Sequence, residues 1–377
     1  MNFDYAVIGT GIQALVVLDR MRALGLNACG VEPESRTADG QVHRLPFYVH
    51  RGHCYAEREL AGPLRDTYAN WQNMIRRLGV KIRSTESYVG FTGDSSRWTQ
   101  TWDALDIPYA QTSLKTGLLS AHRLSEAYAF PHMSFDGREL LARLRQANRD
   151  FLMGGAIRHV SRCWQGYRLF VGDRLITAKK LIVCAGAHLP GVLEALPDVE
   201  ARLPVQTRVC QVLTMRGPVP NASIVVPDAQ MSIAPQYTAD GSTVLLYTHG
   251  ANPIRTDKNH RIDIARLELQ LDALRATLPG LSDTGRVRGI YMTLETESAA
   301  FGGKGTRTGR RFVEQVDDDV LCVLPGKPSF AMNASDELLS LLNAGRRSAQ
   351  ETECAAEPSY FAAARIRHAF EGAQHRA

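Results

Sequence analysis

Paired cysteines, membrane-length apolar runs and blocks of like charge are all missing from this sequence, and each absence removes a class of function. Its seven cysteines, Cys29, Cys54, Cys163, Cys184, Cys210, Cys322 and Cys354, form no CxxC and no His/Cys cluster at zinc spacing. No metal is expected. Cys184 in "LIVCAGA" and Cys322 in "VLCVL" lie inside apolar runs, as buried small hydrophobes do, which suits a reducing cytoplasm. No apolar stretch approaches the ~20 residues of a membrane helix. A strand pattern begins by residue 4, which leaves no room for a signal peptide ahead of it. The expectation is a cytoplasmic protein without a membrane span. The 44 Lys and Arg stand against 39 Asp and Glu, a net charge of +5 scattered along the chain, so nucleic acid is not an expected partner. Internal repeats and low-complexity tracts are also missing, which sets aside solenoids and propellers.

What is present is an ordinary globular composition, 44% hydrophobic and 22% charged, in a chain of 377 residues. That length suits two substantial domains, or one nucleotide-binding domain with a large insertion. The stretch that says most is residues 4–34, "DYAVIGTGIQALVVLDRMRALGLNACGVEPE". "YAVIG" is an apolar run of buried-strand type, Leu15, Leu18, Met21 and Leu24 follow at helical spacing, and "LNACGVE" is a second strand. Gly9, Thr10, Gly11, Ile12, Gln13 and Ala14 occupy the turn between strand and helix. Gly9 can make the tight turn, Gly11 lets the backbone approach a pyrophosphate, and Ala14 allows close helix–strand packing. The helix N-terminus offers free N–H groups and a positive dipole end to phosphates. Glu32 follows Gly11 by 21 positions, where an acid hydrogen-bonds ribose hydroxyls and repels a 2′-phosphate. This argues for a dinucleotide other than NADP, and leaves NAD and FAD open.

The choice between them comes from further along. "DRLITAKKLIVCAGAHLPGVLEAL", residues 173–196, reads as a strand pair followed by Ala185-Gly186-Ala187 and a short helix. Residues 134–151 read as a helix capped by Ser134 or Asp136, and residues 58–79 as another. The order is βαβ, helix, meander, "CAGA" strand, long middle section and C-terminal strand–loop–helix. It resembles the D-amino-acid-oxidase or glycine-oxidase-like (DAO) superfamily of FAD-dependent oxidoreductases.

The resemblance implies an α/β fold: a Rossmann-like FAD-binding domain of the two-dinucleotide-binding-domain flavoprotein type, with an antiparallel-sheet α+β substrate domain. Residues 1–200 and 315–377 would form the first, discontinuous domain and residues 201–314 the second, with 86–130 contributing to the substrate domain. FAD is the implied cofactor, a small molecule the substrate, and O₂ or a redox partner the electron acceptor. The turn residues and Glu32 would hold the adenylate half. Arg36, Gly40 and Gln41 are candidates for phosphate or ribityl contact, joined by Ile157, Ala185 and Gly186. Gly326, Lys327, Pro328, Ser329 and Phe330 would line the isoalloxazine, with Lys327 adding a cation. That last segment is poorer in glycine than the common family pattern, so the substrate of the best-known members does not transfer directly.

His43, His50, His53 and Cys54 fall where the family carries flavin contacts, and suggest either covalent flavin attachment or a base near N5. Within residues 204–300, strand-like runs alternate with turns such as 239–242, and one amphipathic helix precedes Pro279-Gly280. Gln236, Tyr237, Tyr247, His249, Tyr291 and Glu295 are candidates to face the ring. Lys304 and Arg307 lie in the glycine-rich loop 300–311, a candidate lid, and a last helix is expected over 359–371. The expected reaction is oxidation of a C–H bond next to nitrogen or oxygen. An amine substrate needs only to be deprotonated in a desolvated pocket, whereas a hydroxyl substrate needs a base, for which His50, His53 or His249 are the candidates. A flavin-bearing subunit of a larger electron-transfer complex and a flavin-free NAD-linked dehydrogenase remain as alternatives.

Overall fold

The computed structural model describes residues 1–32, 47–114, 121, 123–199, 203, 205–216, 220–237, 243–249, 262–284, 286–298 and 311–353. Along the chain, β1 (Asn2–Ile8), α1 (Ile12–Ala23) and β2 (Ala28–Glu32) form the expected βαβ unit. Tyr5 to Ile8 are all buried, because a central parallel strand is covered on both faces. The first two turns of α1 are covered on every side, with each residue from Ile12 to Asp19 buried. Its one buried acid, Asp19, is paired with Arg77 at 2.6 Å.

Next come β3 (Phe47–His50), α2 (Arg58–Leu78), β4 (Ile82–Phe91), α3 (Ser96–Ala104), β5 (Ala110–Thr112) and β6 (Glu126–Phe135). The long helix α2 stops at Gly79, whose φ of 66° is the left-handed cap that glycine adopts without strain. After β6 the helix α4 (Gly137–Ala147) is capped by Asp136, which accepts from the Arg138 N–H at 2.9 Å. Of the two expected caps it is Asp136 that serves, since Ser134 still belongs to β6. Then follow β7 (Leu152–Cys163), β8 (Gly166–Val171), β9 (Arg174–Val183), α5 (Leu189–Glu194), β10 (Val205–Arg216), β11 (Ser223–Val226), β12 (Met231–Tyr237) and β13 (Thr243–His249). The described chain ends with α6 (Ile264–Thr277), α7 (Pro279–Thr284), β14 (Arg286–Ser298), β15 (Val313–Asp317), β16 (Val320–Val323) and α8 (Ala331–Glu353).

Two sheets result. In the first, β7, β2, β1, β9 and β16 lie side by side in parallel, and β15 closes the edge antiparallel to β16. Within the same sheet, the C-terminal half of β7 and the N-terminal half of β9 pair with β8 as an antiparallel meander. The switch of neighbours falls beside β1, which places the Gly9 turn at the carboxyl ends of the central strands, where α/β sheets bind ligands. The second sheet runs β14-β10-β13-β12-β11-β4-β6-β3, with β5 on β6. All its pairings are antiparallel except β11 on β4. The fold is the α/β type expected, with a Rossmann-like FAD-binding part and a substrate part built on a largely antiparallel sheet. The chain divides into two compact units, Met1–Asp336 and Glu337–Ala377, and the second carries the rest of α8 to Glu353.

Candidate active site

The dinucleotide end is built around the β1–α1 turn. Gly9 has φ 129°, and a Cβ there would lie 2.4 Å from the Cys184 carbonyl oxygen, so the turn closes against β9 only with glycine. At Gly11 a Cβ would meet nothing within 4 Å, which leaves an open approach to the backbone. The first turn of α1 contains no acidic residue and has no side-chain cap, so its orphan N–H groups face that opening. Thr10 donates from Oγ1 to Glu32, and Arg145 from α4 donates to Thr10 Oγ1 at 3.1 Å while standing 3.8 Å from Glu32. An open glycine turn, an uncapped helix start and an acid at the end of β2 are the donor and acceptor set that a pyrophosphate and a ribose require. These residues fit FAD.

The second part of the site is the turn after β3. The chain bends at Gly52, where φ is 92° and a Cβ would fall 2.3 Å from the Ala61 carbonyl oxygen. Helix α3 clamps this turn from outside: Trp102 Nε1 donates to the His53 carbonyl at 3.2 Å, and Thr101 Oγ1 to that of Ala56 at 2.6 Å. The result brings His50 and His53 together, with ring centroids 5.2 Å apart and both side chains buried. His53 stacks on Phe130 at 4.2 Å and meets Ser87 Oγ through Nε2 at 2.9 Å. Tyr48 and Tyr55 flank His50, and His132, opposite His50 in the β3–β6 register, lies 5.1 Å from the Tyr48 ring. Lys327 reaches in from the turn between β16 and α8, its Nζ 5.0 Å from the Tyr55 ring centre. That turn is fixed by α2, since Trp71 Nε1 donates to the Ser329 carbonyl at 2.9 Å. Gln13 on α1 donates to the Leu324 carbonyl at 3.3 Å, which ties the two ends of the site together.

Burial sets the protonation states. His50 and His53 are held well below the usual imidazole range, first by burial and then by the neighbouring histidines, with Lys327 also opposing charge on His50. Burial alone lowers His132 to about 3. Burial pushes the Cys54 thiol and the Tyr48 hydroxyl up to about 12 against the opposing pull of Lys327. Among the described residues, the cluster therefore brings together neutral imidazoles, a thiol, the Tyr48 phenol and the Lys327 cation. His50, His53 and Cys54 have ligand atoms within 4.8 Å of one another, as a metal centre would. The chemistry of the donors speaks against one: Gly52 N–H donates to His50 Nδ1 at 3.1 Å, so a neutral His50 carries its proton on Nε2 and has no free lone pair for a metal. The Lys327 charge beside them adds repulsion to any cation.

Of the residues expected from sequence, Gly9 to Ala14, Glu32, Ala185 and Gly186 gather at the parallel-strand ends, and His50, His53 and Lys327 share the second cluster. Ile157 sits in β7 and packs partly buried on the core beneath the meander. Gly326 and Pro328 flank Lys327, while Ser329 and Phe330 are buried beside it. Tyr237 is engaged elsewhere, its hydroxyl 3.1 Å from Asn221 Oδ1 and its carbonyl accepting from Arg138. Arg36, Gly40, Gln41, His43, Lys304, Arg307, the turn 239–242 and the helix expected over 359–371 lie outside the described residues, as do the side chains of Tyr247, His249, Tyr291 and Glu295. Arg145, Ser87 and His132 were not anticipated. Each comes from an element distant in sequence and carries no local motif.

The chain belongs to the FAD dependent oxidoreductase (DAO) family, whose model matches residues 4–313. FAD is its cofactor and the protein is an oxidoreductase. Solved structures share the fold at low identity. L-proline dehydrogenase from P. horikoshii is 10% identical with a TM-score of 0.71, over 89% of this chain and 90% of that one. Glycine oxidase from Geobacillus kaustophilus is 12% identical with a TM-score of 0.70, over 91% and 95%. L-alpha-glycerophosphate oxidase from Mycoplasma pneumoniae, solved with FAD bound, is 14% identical with a TM-score of 0.69, over 91% and 95%. No curated protein sequence matches the chain. Among the described residues, no helix is long and apolar enough to cross a membrane.

Proposed function

We propose that the protein oxidises a C–N bond of a small amine or amino acid in the cytoplasm, with O₂ or a redox partner as electron acceptor. In this reading the first sheet carries FAD through Gly9–Ala14 and Glu32, and the second sheet carries the substrate. When bound, FAD supplies the two-electron acceptor at N5. The chain's own residues bind, orient and keep water out.

One observation carries the choice of nitrogen over oxygen: the Gly52 N–H occupies His50 Nδ1, so His50 offers the pocket a donor and not a base. A hydroxyl substrate needs a base. An amine needs only a pocket that disfavours its ammonium form, and buried neutral histidines beside the Lys327 cation provide that. Lys327 also sets a cation beside His50, a counter-charge for a substrate anion.

Anaerobic bleaching of the flavin absorbance by a panel of amino acids and N-methyl amines, run beside the matching hydroxy acids, tests the proposal. Bleaching by nitrogen compounds alone is expected, and bleaching by hydroxy acids alone overturns it. His50→Gln and His53→Gln should each keep kcat within about tenfold. Removing a true base costs about 10²–10⁴-fold.

A further inference from the structure

The two histidines of the β3 turn differ in which ring nitrogen is held. His50 is fixed by the Gly52 N–H as its Nε2–H form. His53 meets Ser87 Oγ through Nε2 at 2.9 Å, while its Nδ1 is buried without a hydrogen-bond partner. Ser87, itself buried, has two ways to make that bond. As acceptor it strands its own hydroxyl hydrogen, for which the described residues offer no acceptor, and strands the His53 Nδ1 lone pair as well. As donor it strands only the His53 Nδ1–H. Buried polar groups settle into the arrangement that leaves fewest unpaired.

We propose that Ser87 donates to His53 Nε2 and so positions His53 as its Nδ1–H tautomer. Each histidine then carries its proton on the ring nitrogen that makes no hydrogen bond among the described residues, and neither leaves a lone pair unpaired. Tyr55 Oη, buried and without a partner, adds a third neutral donor, and the Lys327 ammonium lies over the same ring. Three neutral donors and one cation suit an acceptor-rich group of single negative charge. This deepens the proposed function and rests on it: both histidines serve the site as neutral donors that orient the substrate, and neither serves as the base. Ser87 acts through His53 and is a positioning residue.

The test is two-bond ¹H–¹⁵N correlation on the FAD-loaded protein labelled at histidine, with His50→Gln and His53→Gln variants giving the assignments. At pH 7.5 the expected spectra show the proton on Nε2 of His50 and on Nδ1 of His53. Ser87→Thr should keep the His53 pattern, and Ser87→Ala should convert it to a mixture. Acetate, titrated by its perturbation of the flavin spectrum, should bind about fivefold more weakly to Ser87→Ala than to Ser87→Thr, the order expected for one lost hydrogen-bond orientation. A bare His53 Nδ1 in the wild-type spectrum overturns the proposal, and so does acetate affinity that ignores the Ser87 side chain. If Ser87→Ala does not fold, the wild-type and Ser87→Thr spectra still decide. Confirmed tautomers together with turnover of hydroxy acids alone would overturn the proposed function and leave the tautomer assignment standing.

Discussion

At Gly9 an added Cβ would lie 2.4 Å from a backbone oxygen at a φ of 129°, whereas at Gly11 it would meet nothing within 4 Å. Substitution separates the two roles. Gly9→Ala combines backbone strain with overpacking and should cost about 3 kcal/mol of stability. Gly11→Ala should leave the unfolding transition of the FAD-free protein within about 0.5 kcal/mol and weaken FAD binding. Urea melts with and without FAD check both. His132 makes a pH prediction. Its folded pKa of about 3 lies below the ordinary 6.5, so the unfolded chain takes up its proton first as pH falls. The stability tied to His132 is whole above pH ~6.5 and should decline by about 1.4 kcal/mol per pH unit toward pH ~3. His132→Gln should flatten the pH dependence of urea melts in that window, and an unchanged slope would rule this out. Gly9, Gly11 and Glu32 were legible because their meaning lies in spacing along one βαβ unit. His132 and Ser87 were not, because a histidine or serine in a strand acquires its partners only once the register of β3, β4 and β6 is set.

Among the elements, the same contrast holds between local and assembled features. β1, α1, β2 and α2 follow from apolar periodicity and from breakers such as Gly79, and they form where the pattern puts them. The pairing of β3 and β4 with β6 in the sheet that also contains β11 to β14 depends on a parallel contact between β4 and β11, more than a hundred residues apart in sequence, which no local pattern encodes. Helix α6 illustrates both sides. Its place in the chain was readable, but it is weakly amphipathic, with Ile264 and Leu269 exposed, and its fixed point is polar: Gln270, fully buried, donates to the Gln211 carbonyl at 3.1 Å and accepts from Gln211 Nε2 at 3.2 Å. Gln211 in turn accepts from the Asp263 N–H at 2.9 Å, at the start of the helix. Gln270→Ala leaves the buried Gln211 carbonyl without this partner and opens a cavity, so it should destabilise by about 2–3 kcal/mol. A loss below about 0.5 kcal/mol in urea melts would show that the pair does not anchor α6 to β10.

In the whole molecule, FAD should act as a tie between segments that the chain itself joins only lightly. Around the cofactor end, Thr10, Glu32 and Arg145 from the β1–α1 turn, β2 and α4 converge through a few hydrogen bonds and one ion pair at 3.8 Å. A ligand that binds the folded state alone stabilises it by about 2.7 kcal/mol at a hundred times its Kd. With an unfolding entropy that scales with 377 residues, this corresponds to a rise in Tm of roughly 3 °C. The tie should be reversible. Covalent attachment needs a nucleophile, and burial keeps the Cys54 proton in place up to about 12, while His50 and His53 each have both ring nitrogens committed in the proposed tautomers. Acid precipitation of the yellow protein should therefore release its colour into the supernatant. FAD should restore the lost degrees of Tm to the stripped chain, and NAD should not. Colour kept in the pellet would mean that one of these nitrogens or the thiol is free after all, and the donor assignment of the whole pocket would fall with it.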